Sequence, residues 1–374
     1  MTELGVYVHV PFCRHRCDYC AFATYTDRDA LMERYVAACV TELGAAVRSG
    51  ALLGATSVFV GGGTPSRLPA AWLARILAAV PLAPGAEVTV ECNPEDASPE
   101  RLAAYRKAGV TRLSLGVQST RPHVLAALGR RHDPASVPRA LGAAADAGIP
   151  RVNVDLIYGA AGESDDDWRA TLDEVLSLPH PPGHVSAYAL TVEPGTPLAR
   201  DAARHPDEDV QAARYELADA LLGAAGYQWE EISNWALPGQ ECRHNGLYWR
   251  QGDYLGIGSA AHSHRSEDDA GRRWWNVRTP ERYVAAIEAG RSPVAGEELV
   301  SGERRELERL MLSLRTPEGV PHWSLPDAAE LEGLVERRGD VVVLTVRGRL
   351  VANTLSSMLR PAWFAAGVGG AARA

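Results

Sequence analysis

Apolar and polar positions alternate in six short runs along the first half of the chain: residues 5–10, 57–60, 87–92, 112–117, 151–157 and 184–190. The alternation is clean in Val88-Thr89-Val90-Glu91 and in Val152-Asn153-Val154-Asp155, and a period of two residues predicts strands. Between these runs lie Ala- and Leu-rich segments with helical spacing, at 30–47, 70–80, 99–108, 135–147 and 165–176. Strand and helix alternate without a hairpin signal, so the strands are expected to be parallel and joined by right-handed crossovers. Ser98-Pro99-Glu100 reads as an N-cap followed by proline at the first helical position, and Gly109 and Gly148 stand where helices should stop. Six such units are too few to close an eight-stranded barrel. The predicted fold is therefore α/β, a partial (β/α)6 barrel, with a doubly wound sheet as the alternative.

A further helix is expected over 207–225, after which the pattern changes. Five of the nine tryptophans fall in one stretch: Trp229, Trp235, Trp249, Trp274 and Trp275. From residue 301 the order is helix (304–314), helix (328–337), strand (341–345) and helix (349–359), which suggests a small winged-helix-like module. The 374 residues would then divide into a barrel over 1–228, an aromatic bridging segment over 229–300 and a C-terminal module over 301–374.

Composition narrows the class. Lys plus Arg is 38 and Asp plus Glu 47, a formal charge of −9, which is the wrong sign for gripping a polyphosphate backbone. Nucleic acid is not expected as a partner. The longest uncharged stretch, 49–66, is broken by Gly61-Gly62-Gly63-Thr64-Pro65 and reads as no spanning helix. The first residues carry neither a basic nor an apolar leader pattern, so the expected location is the cytoplasm, with membrane contact only through an acceptor. Six cysteines are too few for a disulfide scaffold, and three of them crowd into eight residues.

Those three form Cys13-Arg14-His15-Arg16-Cys17-Asp18-Tyr19-Cys20, directly after the first strand. Three thiolates on one tight loop can hold three irons of a [4Fe–4S] cubane, which normally takes four cysteines. One iron is then left for a ligand that is not protein. Structural zinc wants a closed set of four ligands; no second cysteine pair exists, and His9 or His15 could complete a set only awkwardly. Gly61-Gly62-Gly63-Thr64-Pro65 ends the second strand, where successive glycines let backbone N–H groups approach an anion. Glu91 and Asp155 are acids inside apolar strands, a costly placement unless each has a partner or faces a site. Gln118 ends the fourth strand and Arg130 follows a short helix.

The C-x3-C-x2-C loop after an opening strand resembles the radical S-adenosylmethionine (SAM) superfamily, whose fold is the partial barrel expected above. Tyr7-Val8-His9-Val10-Pro11-Phe12-Cys13, Gly62-Gly63-Thr64-Pro65, Leu115-Gly116-Val117-Gln118-Ser119 and Asn153-Val154-Asp155-Leu156-Ile157-Tyr158-Gly159 are similar to the oxygen-independent coproporphyrinogen III oxidases (HemN) and their HemW relatives. The resemblance implies a cluster on Cys13, Cys17 and Cys20, with SAM on its open iron and an external electron donor. It implies SAM contacts at Tyr7, Tyr19, Gly62, Gly63, Thr64, Glu91, Gln118, Arg130 and Asp155.

Two branches of that family differ. The oxidases carry a fourth cysteine where this chain has Phe22, and a longer N-terminal arm. His244-Asn245-Gly246-Leu247-Tyr248-Trp249 instead resembles the H-N-x-x-Y-W signature of the HemW-type heme chaperones. A histidine can ligate heme iron, aromatics offer flat apolar area, and Arg243, Arg250, Arg272 and Arg273 could pair with propionates. His244 is the first expected heme contact, with Cys242, Tyr248 and Trp249 beside it and His262 and His264 as competing ligands. The expected function is a heme chaperone that passes heme to an acceptor hemoprotein, with a homodimer left open. The alternatives are a coproporphyrinogen III oxidase in porphyrin biosynthesis and a purely structural zinc protein.

Overall fold

The computed structural model describes residues 3–267, 270–326 and 331–362. Six strands form where the alternation places them: β1 (Leu4–Val10), β2 (Ala55–Gly62), β3 (Leu82–Cys92), β4 (Arg112–Gln118), β5 (Arg151–Tyr158) and β6 (His184–Ala189). Each pairs in parallel with the next. Helices α1 (Met32–Arg48), α2 (Ala70–Ala78), α3 (Pro99–Lys107), α4 (Pro122–Ala127), α5 (Ser136–Asp146), α6 (Asp165–Leu176) and α7 (Glu208–Ala224) lie between and after them. The expected punctuation is present. Ser98 accepts a hydrogen bond from the Arg101 N–H ahead of α3, and Gly109 and Gly148 take positive φ. This is the partial (β/α)6 barrel.

Alternation along the strands sorts side chains into two environments. Val6, Val8, Val58, Val60, Val88, Val90, Leu113, Leu115, Val154, Leu156 and Val185 belong to the main apolar core shared with the helices. Apart from residues such as Tyr7 and Phe59, the side chains of opposite parity are polar: Ser57, Glu87, Glu91, Arg112, Ser114, Asn153, Asp155, His184 and Ser186. All but Glu87 and Ser57 line one of two cavities inside the barrel. The barrel is thus greasy outside and polar within.

The stretch expected as an aromatic bridge is part of the same sheet. β7 (Gln228–Glu231) and β8 (Asn234–Ala236) extend it beyond β6, and β9 (Asp253–Ile257) runs parallel to β1 on the other side. β10 (His262–Glu267), β11 (Ala270–Asn276) and β12 (Val294–Val300) follow as antiparallel neighbours, completing a twelve-stranded sheet. The sheet therefore continues across residue 228. These strands escaped the pattern because β11 reads Ala-Gly-Arg-Arg-Trp-Trp-Asn, with no alternation and no turn signal of the usual kind. Between β8 and β9 sits the short helix α8 (Arg243–Trp249), and between β11 and β12 helix α9 (Pro280–Glu288), which packs beside α1.

The C-terminal region has a small core of its own, built on Leu310, Leu314, Val320, Val342, Leu344 and Leu355. It contains α10 (Gly302–Ser313), β13 (Val320–Pro321), β14 (Val335–Arg338), β15 (Val341–Leu344), α11 (Val346–Leu350) and α12 (Ala352–Ser357), with sheet order β13-β15-β14. The helix expected over 328–337 is not borne out where it can be judged. Residues 327–330 lie outside the described residues, and Val335–Arg338 is a strand paired antiparallel to β15. Gly339, at positive φ, closes that hairpin. The expected helix over 349–359 is split in two. Arg349 docks the module, with its guanidinium 4.0 Å from the Trp229 ring and 2.6 Å from Asp219 of α7. Among the described residues no helix is long and apolar enough to cross a membrane.

Candidate cofactor pocket and barrel floor

The C-terminal ends of the barrel strands surround a cavity of about 440 Å³. The loop after β1 forms one wall. It is pinned by Cys13 N–H to Tyr25 O (3.0 Å), Tyr25 N–H to Pro11 O (2.8 Å) and Cys20 N–H to Cys17 O (3.2 Å). Cys13, Cys17 and Cys20 are free, half-buried and all face the cavity. Thr64 Oγ1 donates to Cys13 Sγ (3.5 Å) and Arg130 Nη1 to Cys17 Sγ (3.7 Å). Burial pushes the Cys13 and Cys20 thiols up. Among the described residues no three His, Cys, Asp or Glu side chains gather around one ion. The His9 ring is committed to Tyr7 Oη and Ala23 O, both at 3.1 Å. Three thiols on one cavity wall, each with its own approach, suit a cluster with separate irons better than a four-ligand ion.

The glycine turn fits the same purpose. Gly62 has φ 113°, and a Cβ there would stand 2.4 Å from the His9 ring. At Gly63 a Cβ would meet Val10 O at 2.9 Å, so backbone reaches the cavity where a side chain could not. Glu91 accepts from the Gly62 N–H (3.0 Å). Burial, and then the charge of Asp155, push the Glu91 carboxyl up to about 8. Burial also raises Asp155, against hydrogen bonds from Asn153 (2.8 Å) and Ser114 (3.1 Å). Two acids raised by burial, neither of them in an ion pair among the described residues although the field of Arg112 reaches Asp155, prepare the cavity for a cationic ligand. In β4 a bulge between Gly116 and Gln118 leaves Gln118 at φ 64° and turns it into the pocket. Arg130 is anchored by Asn93 Oδ1 and Gly116 O, both at 2.8 Å, with its Nε buried and unpartnered.

Of the expected SAM contacts, Tyr19, Gly62, Gly63, Thr64, Glu91, Gln118, Arg130 and Asp155 line this cavity. Tyr7 does not; it lies below, on a second cavity. Asn93, Ser114 and Tyr188 also line the upper one and were missed. Ser114 and Tyr188 share the inward parity of Asp155 on neighbouring strands, which is the signal that could have found them. Phe22 sits at the rim, 67% exposed.

The H-N-x-x-Y-W segment occupies the other end of the barrel. It forms α8, which closes the floor. Glu87 of β3 accepts from the His244 N–H (3.1 Å) and the Arg243 N–H (3.3 Å), and pairs with Arg151 (2.8 Å). Glu230 accepts from the Cys242 N–H (3.1 Å). A carboxylate at a helix N-terminus satisfies donors that the helix leaves open. Gly5 lets the helix approach β1, because a Cβ there would come within 2.8 Å of Leu247 and 3.0 Å of the His244 ring.

Most residues of the expected heme constellation are already engaged within the protein. His244 is 1% exposed, with Nδ1 on Ser57 Oγ and Nε2 on Tyr248 Oη, each at 2.9 Å. Burial pushes it down to about 3, so the ring is neutral and neither nitrogen is open to iron. Cys242 is buried against Glu87 (3.7 Å), and the Trp249 Nε1 is buried without a partner. Arg243 holds Gly85 O, Arg250 holds Glu3, Arg272 holds Glu297, and Arg273 holds Glu298 and Glu308. His264 is buried, bonded to Gly252 O (2.9 Å). His262 differs. It is exposed and stacks on Trp275 at 5.8 Å. Trp275 in turn lies opposite Gly296 of β12, whose missing side chain the indole covers.

Comparison with known proteins adds to this geometry. The Radical SAM superfamily pattern matches residues 7–175, from β1 to the end of α6. The heme chaperone HemW of Mycobacterium tuberculosis is 44% identical over 369 residues, covering 94% of this chain and 93% of its own. The heme chaperone HemW of Escherichia coli K12 is 33% identical over 374 residues, covering 95% and 97%. The solved coproporphyrinogen III oxidase HemN from E. coli superimposes with a TM-score of 0.80 at 22% identity, over 96% of this chain and 90% of that one. That last likeness is one of fold.

Proposed function

The chain belongs to the HemW family of radical SAM proteins, and on that footing we propose that it is a heme chaperone, binding heme and passing it to an acceptor hemoprotein. The observation that carries this reading is the match over nearly the full length of relatives named as heme chaperones. Phe22, standing where the oxidases have a fourth cysteine, speaks against porphyrinogen decarboxylation.

In this reading Cys13, Cys17 and Cys20 hold a [4Fe–4S] cluster, and the residues around the upper cavity hold SAM. Cluster and SAM together supply one-electron reductive cleavage chemistry, fed by an external electron donor. The protein's part is positioning and electrostatics. Thr64 and Arg130 donate to the Cys13 and Cys17 sulfurs, which fixes the loop. At Gly62 and Gly63 the lack of side chains lets a ligand come close to the backbone, whose N–H groups are held by Glu91 (3.0 Å) and Val10 O (2.8 Å). Glu91 and Asp155, raised by burial, become favourable as anions once an ammonium or sulfonium enters.

For heme itself His262 is the exposed one of the three candidate histidines His244, His262 and His264, and the Trp275 ring over Gly296 offers a flat neighbour for a macrocycle. Hemin titration tests the reading. The expected result is one saturable Soret species that weakens in His262→Ala and persists in folded His244→Ala. Wild-type protein that shows no saturable hemin binding would remove the chaperone function. Formation of protoporphyrinogen by the reconstituted, reduced protein would restore the oxidase.

A further inference from the structure

Below the cofactor pocket the barrel encloses a second cavity of about 150 Å³, which shares Glu91, Ser114, Asp155 and Tyr188 with the first. Arg112, the first residue of β4, lines it and is only 2% exposed. Among the described residues nothing accepts a hydrogen bond from its guanidinium, and its Nε is fully buried and unpartnered. An arginine cannot shed its proton to escape this position.

The acids nearby are already committed. Glu87 holds Arg151 and the first turn of α8. Glu230 holds His184 (2.9 Å) and the Cys242 N–H. Asp155 holds Asn153 and Ser114. Burial works against the guanidinium charge, and the field of Cys242, Glu87, Glu230 and Asp155 outweighs it. Charge is therefore balanced at a distance while the hydrogen-bonding capacity of the guanidinium is unused. Buried donors in native proteins are nearly always satisfied, by protein, water or ligand. The partner that matches a guanidinium fork is a planar pair of oxygens.

We propose that the lower cavity is a carboxylate subsite anchored by Arg112, sized for a short organic acid or for a carboxylate-bearing arm that reaches down beside the cofactor. At ~30 Å³ per water the space equals about five waters, which excludes a macrocycle and admits a two- to four-carbon acid. Hydrogen bonds from His184 Nδ1 (2.6 Å) and Ser186 Oγ (3.2 Å) lock the Asn153 amide, so the wall is ordered before a ligand arrives. This site is independent of heme, and its test separates the two readings.

The probe is propionate labelled with 13C at the carboxyl carbon, titrated into the full chain with its cluster reconstituted, with propionamide as the neutral isostere. The carboxyl resonance should shift saturably with propionate, and propionamide should not compete. Arg112→Lys should bind about tenfold or more weakly, because the bidentate geometry is lost. Ser186→Val leaves Arg112 in place but narrows the cavity and removes the hydroxyl that holds the Asn153 amide, and should weaken binding severalfold, which keeps the test valid if Arg112 variants fold poorly. No saturable shift in the wild type, equal competition by propionamide, or unchanged binding in Ser186→Val would each overturn the proposal. Hemin titration of the same variants should be unchanged.

Discussion

The mouth and the floor of this barrel are made from the same six strands on opposite terms. At the mouth, thiols are half-buried and carry only long hydrogen bonds, two acids are raised by burial, and Gln118 sits in left-handed backbone. At the floor the backbone of α8 and both nitrogens of His244 are matched, with the Trp249 Nε1, the Arg151 Nε and the Arg112 guanidinium as exceptions. Unsatisfied groups and strain collect where a ligand is to be received, and satisfied networks where the chain must simply hold. A histidine among aromatics belongs to the second kind here, although its composition suggests the first.

The comparison breaks most readily at one residue on each side. Cys17→Ser should abolish cluster reconstitution, read as loss of bound iron and sulfide and of the charge-transfer absorbance. The apoprotein should lose no more than about 0.5–1 kcal/mol of stability, since the half-buried thiol accepts one long hydrogen bond. Glu87→Ala should do the reverse. It strands Arg151 and two backbone donors of α8 in the interior and should cost about 3–5 kcal/mol in urea unfolding, while the folded fraction still takes up iron. Cluster retention in Cys17→Ser, or a neutral Glu87→Ala, would undo the distinction.

His244→Ala comes next. It removes a buried ring packed on Phe59 at 5.5 Å and leaves the Ser57 and Tyr248 hydroxyls unpaired. A loss of about 2–4 kcal/mol is expected, with the hemin Soret species intact. A variant of unchanged stability that no longer bound hemin would mean that α8 opens in solution and that the floor is itself the heme site.

The mouth was legible because its chemistry is local in sequence. Three cysteines within eight residues, a run of glycines and acids inside apolar strands each carry their meaning in spacing alone, and the barrel follows from period two alternating with helical spacing. The floor was not legible. Its meaning depends on Glu87 reaching α8 across more than 150 residues of chain and on Gly5 making room for it, and no window along the sequence contains both. For the same reason the strands β10 to β12 were hidden, since their partners are set by the edge of the sheet next to β9. Arg112 was passed over as an ordinary charged residue at a strand start. Its inward parity with Ser114 was the available clue.

Proton linkage offers the finest separation of the two ends, in protein without cluster or SAM. At the floor, burial pushes His244 down to about 3, so between that value and its ordinary 6.5 the unfolded chain binds more protons than the native one. Stability falls there as pH falls. At the mouth, Glu91 is raised to about 8 from 4.5, so across that window the native protein keeps a proton that the unfolded chain releases, and stability falls as pH rises. Each group contributes a slope of up to about 1.4 kcal/mol per pH unit. The slopes of these two groups oppose and nearly cancel between about pH 4.5 and 6.5, so that of the pair His244 acts below that window and Glu91 above it. His132, pushed down to about 4, and Glu231, raised to about 8, add to the same two limbs. His244→Gln should therefore make the acid limb shallower and Glu91→Gln the alkaline one in urea titrations at about pH 4, 5.5 and 7.5. If either substitution flattened the other's limb instead, the protonation states assigned to mouth and floor would be reversed.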